Sequence, residues 1–152
     1  MNSNNSMPTC LPASSIGKAS ESRAPNQQVL RVLLLEDNLE LAELLRLIFE
    51  TSGLQATVAH LGRVALRLLE QEEFDLAMVD IDLPDTTGFQ VVAGALARGR
   101  LQNTKIIFFS GGPTDERVAM ARLFPGSLFV PKPFEMQCLL SLIRKLFPTC
   151  QY

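Results

Sequence analysis

Histidine and cysteine are scarce in this chain. The single histidine is His60, and Cys10, Cys138 and Cys150 lack metal-ligand spacing, so neither a zinc site nor a disulfide framework is indicated. That usage fits a reducing cytoplasm. Long apolar runs are also missing, because Arg31, Glu40, Arg46 and similar residues interrupt every candidate before the roughly 18 apolar residues that a membrane helix needs. No membrane association is expected. There is no Lys/Arg cluster to track a phosphate backbone, and a formal net charge of -2 gives no long-range attraction to nucleic acid. Direct nucleic-acid binding is not expected. No Gly-rich loop follows the first apolar run, which argues against a nucleotide or flavin site.

What remains is a chain of 152 residues, 47% hydrophobic and 20% charged, within the range of one globular domain with a proper core. Residues 1–28 are rich in Ser, Asn, Pro and Gln, without the cationic start or apolar centre of a secretory signal, and read as a disordered tail. The alternative is a vector-derived or misplaced start, with Met7 as another initiator. The domain is expected over 29–148, with a short tail at 149–152.

From Val29 onward, apolar runs alternate with helical patterns, as repeated βα units do. The runs 30–35, 54–59, 76–79, 105–109 and 128–131 read as strands buried in a parallel sheet. Between them, Asn38 is placed to cap a helix with Leu41, Leu44, Leu45 and Ile48 inward, and Gly53 suits its end. The second helix turns Val64, Ala65, Leu68 and Leu69 inward, and the third runs through Phe89, Val92 and Leu96. Val118, Ala121 and Leu123 mark a weaker fourth. Met136, Leu139, Leu140, Ile143 and Phe147 form the inward row of the last. The fold expected is a three-layer α/β sandwich, (βα)5, with a five-stranded parallel sheet in the order 2-1-3-4-5 and helices on both faces.

In an open parallel sheet, ligands bind at the carboxyl ends of the strands. Glu36 and Asp37 close the first strand, Asp80 the third, Ser110 the fourth and Lys132 the fifth. In that strand order, one crevice receives them all. Three crowded carboxylates repel by about 4 kcal/mol per pair at 4 Å and an effective dielectric near 20, so a cation is required. A hard, oxygen-only donor set suits Mg²⁺, with Mn²⁺ able to substitute. A carboxylate, a metal, an ammonium and a hydroxyl together describe phosphoryl transfer, with Asp80 as nucleophile. Taken singly, each of these residues also has an ordinary reading as a helix cap or a solvated charge.

At this point the sequence resembles the receiver domain of response regulators, with its flavodoxin-like fold, over about residues 29–147. The segments are Leu33-Leu34-Leu35-Glu36-Asp37, Asp75 to Asp80 followed by Leu83-Pro84 and Gly88, Ile107-Phe108-Phe109-Ser110, and Lys132-Pro133-Phe134. The resemblance implies that Asp80 accepts phosphate from a histidine kinase or histidine phosphotransfer protein. It implies that Glu36, Asp37, Asp80 and the backbone carbonyl of Asp82 hold Mg²⁺, and that Ser110 and Lys132 contact the phosphoryl oxygens. It further implies a cis peptide before Pro133, and a switch in which Ser110 moves and Phe129 turns inward behind it. Such a domain is a phosphoacceptor signalling module, not an enzyme with an external substrate. Phe129 also reads as a plain core residue.

Three positions depart from the usual pattern. Asp82 adds a fourth acid that could tighten the ion, order a hydrolytic water or repel a donor. Pro131 removes a strand N–H, which suits an edge strand only. Gly112 leaves the site open on its side, which predicts ready access for water and fast loss of the phosphate. A pseudo-receiver that only docks, and a haloacid-dehalogenase-like phosphohydrolase built on Asp80 and Asp82, are the rival readings. His60 reads as ordinary, because a phosphodonor histidine would want a helical hairpin. With no second domain following Tyr152, output is expected through the fourth helix, fifth strand and fifth helix, to a homodimer or an effector. There Cys138 and Leu142 form an i,i+4 apolar pair; burial against a neighbouring helix is the alternative.

Overall fold

The computed structural model describes residues 28–150. Of the tail expected at 1–28, residues 1–27, with Cys10 among them, lie outside the described residues, as do residues 151–152. The elements follow in strict alternation: β1 (Arg31–Leu35), α1 (Leu39–Thr51), β2 (Gln55–Ala59), α2 (Gly62–Gln71), β3 (Leu76–Asp80), α3 (Gly88–Ala97), β4 (Lys105–Ser110), α4 (Asp115–Ala121), β5 (Leu128–Pro131) and α5 (Met136–Leu146). All five strands pair in parallel in the order 2-1-3-4-5. Each expected strand falls within one residue of its observed bounds.

Successive strand side chains point to opposite faces, and both faces are covered. Val32 and Leu34, Leu76 and Met78, and Ile107 and Phe109 pack with Leu45 and Phe49 of α1 and Leu139 and Ile143 of α5. Leu33 and Leu35, Ala77 and Val79, and Ile106 and Phe108 pack with α2, α3 and Ala121 of α4. Three layers result. Pro131 lies in β5 at the edge of the sheet, where a missing N–H is tolerated.

The caps explain where the helices begin. Asn38 accepts the N–H of Leu41, and Thr87 forms a reciprocal capping box with Gln90 at the start of α3. Gly53, with φ 81°, ends the turn after α1. Leu61 offers α2 no side-chain cap; instead, Asp85 accepts the N–H groups of Gly62 and Arg63 from the loop after β3, at 2.9 and 3.0 Å.

Two helix faces differ from the sequence reading. In α1 the buried row is Ala42, Leu45 and Phe49, whereas Leu44 is half exposed. With Ala42, Leu45 and Phe49 at i, i+3 and i+7 facing the sheet, Leu44 falls to the side of that row. Leu123 lies beyond α4 and is 77% exposed. Its place is taken by Phe124, which packs with Phe89 and Phe108 at ring-centroid distances of 5.9 and 5.2 Å. A short helix that stops at Ala121 turns the chain before the periodic pattern can be completed.

Candidate phosphoryl-transfer site

Register and strand parity assemble the site. Asp80 pairs with Phe109 and Ser110 with Pro131, so the carboxyl ends of the strands are level. Glu36, Asp80 and Lys132 continue the odd–even series of Leu34, Met78 and Val130, all of which face α1 and α5. Ser110 continues the series of Ile106 and Phe108, which face α3 and α4. The acids and the lysine therefore share one side of the sheet edge, and the hydroxyl belongs to the other.

Lys132 Nζ lies 2.6 Å from Glu36 Oε2 and 2.7 Å from Asp80 Oδ2, and 4.6 Å from the centroid of the Phe109 ring. Asp80 Oδ1 accepts the N–H of Asp82, and Glu36 Oε1 accepts that of Asn38. Burial pushes the Glu36 carboxyl up from its ordinary range, against the pull of Lys132 and the Asn38 N–H. Burial also works against the Lys132 ammonium, but its bonds to Asp80 and Glu36 prevail and hold it above the usual lysine value. It stays charged at neutral pH.

Asp37 is exposed at the rim. Oxygen atoms of Glu36, Asp37 and Asp80 all lie within 4.8 Å of one another. Three carboxylates against one ammonium leave two negative charges unmatched in a half-buried crevice, and every donor is a hard oxygen. This set fits a divalent ion of the Mg²⁺ type.

Across the rim, Ser110 Oγ lies 3.2 Å from Asp82 Oδ2 and accepts the N–H of Gly112. The Lys132–Pro133 peptide is cis. The family model described as "Response regulator receiver domain" matches residues 32–144. This chain belongs to the response regulator receiver family.

The transcriptional regulatory protein CpxR of Escherichia coli (strain K12) is 31% identical over 116 residues, covering 76% of this chain and 48% of that protein. The chain thus spans about half the length of the regulators it matches. The CAI-1 autoinducer sensor kinase/phosphatase CqsS of Vibrio cholerae is 25% identical over 116 residues, 74% of this chain and 17% of that protein. A CheY-like receiver domain from Methanospirillum hungatei JF-1 superimposes with a TM-score of 0.71 at 26% identity, over 78% of this chain and 93% of that one.

Within this receiver domain, sequence reasoning missed one residue of the site. Arg117, in the first turn of α4, reaches over the rim and grips Asp82 with both nitrogens, at 2.7 Å each, and its Nη1 lies 2.7 Å from Ser110 Oγ. The guanidinium holds the Asp82 carboxyl below its usual range, and Asp82 in turn raises Arg117. Asp82 therefore turns away from the three-acid cluster. Gly112 itself is exposed, and the Arg117 guanidinium stands beside it, with Nη1 3.6 Å from where a Cβ at Gly112 would lie. No local pattern points to this arginine; only the placement of α4 does.

Phe129 is half-buried and packs against the α3–α4 side of the core, the same side as Ser110. His60 is not idle: its Nδ1 lies 2.8 Å from the backbone carbonyl of Glu36, to which it donates, tying the end of β2 to the acidic loop. On α5, exposed Cys138 and half-buried Leu142 line one surface groove together with Val130 and Phe134, and Leu142 also packs partly against the core. No helix among the described residues is long and apolar enough to cross a membrane.

Proposed function

We propose that this receiver domain accepts a phosphoryl group on Asp80 from a phosphohistidine of a histidine kinase or phosphotransfer protein. The single observation that carries the reading is the placement of Lys132 Nζ between Glu36 and Asp80, 2.6 and 2.7 Å away, beside a divalent-cation donor set. A fixed cation next to a buried nucleophilic carboxylate is what a developing phosphoryl charge requires.

Asp80 attacks phosphorus through a carboxylate oxygen while the phosphorus–nitrogen bond of the donor breaks, its electron pair returning to the imidazole. Lys132 shifts from pairing Asp80 to pairing a phosphoryl oxygen, and the Ser110 hydroxyl donates to another. Glu36, Asp37, Asp80 and the carbonyl of Asp82 would hold Mg²⁺, or Mn²⁺ in its place, which supplies neutralising charge to the equatorial oxygens. Movement of Ser110 opens room on its face of the sheet for Phe129, and the changed surface of α4, β5 and α5 meets a second copy or an effector. We place this chemistry in the reducing cytoplasm, in line with the sparse cysteines, of which Cys138 and Cys150 are free among the described residues.

Incubation with acetyl phosphate and Mg²⁺ tests the reading. The expected result is a stoichiometric mass gain of one phosphoryl group, absent in Asp80→Asn and prevented by a chelator. No gain in the unaltered chain would sink it.

A further inference from the structure

Asp82 is a fourth carboxylate beside a nucleophile that must meet an anionic donor. Left bare, it would repel that donor and the arriving phosphoryl group alike. The fold does not leave it bare. Arg117 approaches from α4, thirty-five residues further along the chain, and pairs with both carboxylate oxygens in a two-pronged geometry that only a guanidinium can adopt. The same Nη1 lies on Ser110 Oγ, which puts the positive charge at the rim where a phosphoryl group must enter.

We infer that Arg117 is a positioning residue of the phosphoacceptor site, neutralising Asp82 so that an anionic phosphodonor can reach Asp80. The inference rests on the phosphoacceptor reading and adds to it the control of access. Lys132 cannot substitute, because it is bound to Glu36 and Asp80 on the opposite face of the sheet edge. The pair is partly solvated, with side-chain exposures of 32% for Arg117 and 57% for Asp82, so the effect is of moderate size.

The test is the rate of Asp80 phosphorylation by acetyl phosphate at low ionic strength in the full chain, Arg117→Gln, Arg117→Lys, Asp82→Asn and the Arg117→Gln/Asp82→Asn double variant. Arg117→Gln should be slower by about 3- to 10-fold, with Arg117→Lys intermediate and the deficit shrinking as salt is added. Asp82→Asn keeps its backbone carbonyl and should be at least as fast as the unaltered chain. The double variant should recover to within about twofold of it, a rescue that a merely structural role would not produce.

Equal rates for Arg117→Gln and the unaltered chain would overturn the inference. So would a double variant as slow as Arg117→Gln, because the guanidinium would then act on the phosphoryl group directly. In both cases the unaltered chain is phosphorylated, and the phosphoacceptor reading survives. An unaltered chain that takes no phosphoryl group overturns both together.

Discussion

A Cβ on Gly88 would lie 2.2 Å from the backbone carbonyl oxygen of Asp80 and 2.7 Å from Cγ1 of Val79. The first residue of α3 is thus seated on the very peptide that carries the candidate nucleophile. The contact is with backbone, which cannot swing aside, so the glycine is required for its size.

Gly88→Ala should accordingly lower unfolding stability by about 2 kcal/mol through overpacking and slow phosphorylation of Asp80 by displacing the end of β3. Urea unfolding and acetyl phosphate labelling read the two effects. Full stability would show that α3 lifts freely from the sheet.

Lys132→Met removes the one ammonium between two carboxylates, leaving Glu36 buried and uncompensated. Removing one partner of such a pair costs about 3 kcal/mol in metal-free buffer. Because burial already raises the Glu36 carboxyl, the variant should regain stability as pH falls and Glu36 takes up a proton. Chemical unfolding between neutral pH and acid checks the direction; a deficit that grows with acid would count against it.

Metal binding should appear as stability even without phosphate. A ligand held only by the folded state contributes about 2.7 kcal/mol when its concentration is one hundred times its dissociation constant. Thermal unfolding should therefore shift upward with Mg²⁺ and saturate. Asp37→Asn should abolish most of the shift yet scarcely alter the metal-free melt, because Asp37 is exposed. An undiminished shift would remove Asp37 from the ligand set.

Asp85 caps α2 from another segment, and the N–H groups of Arg63 and Gly62 hold its carboxyl below the usual range. The folded state thus favours the charged form more than the unfolded chain does. The resulting stability is complete above the unfolded carboxylate value of about 3.9 and is lost as pH falls through the depressed folded value. At neutral pH, Asp85→Ala should cost about 0.5 to 1 kcal/mol, discounted for its exposure. Melts of the two proteins should converge in strong acid; parallel curves throughout would mean that the cap's charge contributes nothing.

Much of this was legible in the chain itself. Strand runs buried on both faces carry an unbroken apolar signal, and Asn38 and Gly53 mark helix ends through local chemistry, so the elements fell close to their observed bounds. The polar residues after four of those runs located the crevice. Leu44 and Leu123 were misplaced for different reasons: the inward row of α1 runs through Ala42, Leu45 and Phe49 rather than Leu44, and α4 ended before its pattern could repeat.

The order of the elements, and the acids, hydroxyl and lysine at the ends of the strand runs, follow from patterns of a few residues, which is the range over which local sequence acts. Which of those ends meet is set by the pairing of the strands. The fate of Asp82 does not follow from such patterns. Its partner is one of 14 lysines and arginines in the chain, selected only when α4 is docked beside β5 and the guanidinium spans the gap. Which charge meets which across the rim is decided by packing, because Coulomb energy depends on distance in space and not on separation along the chain.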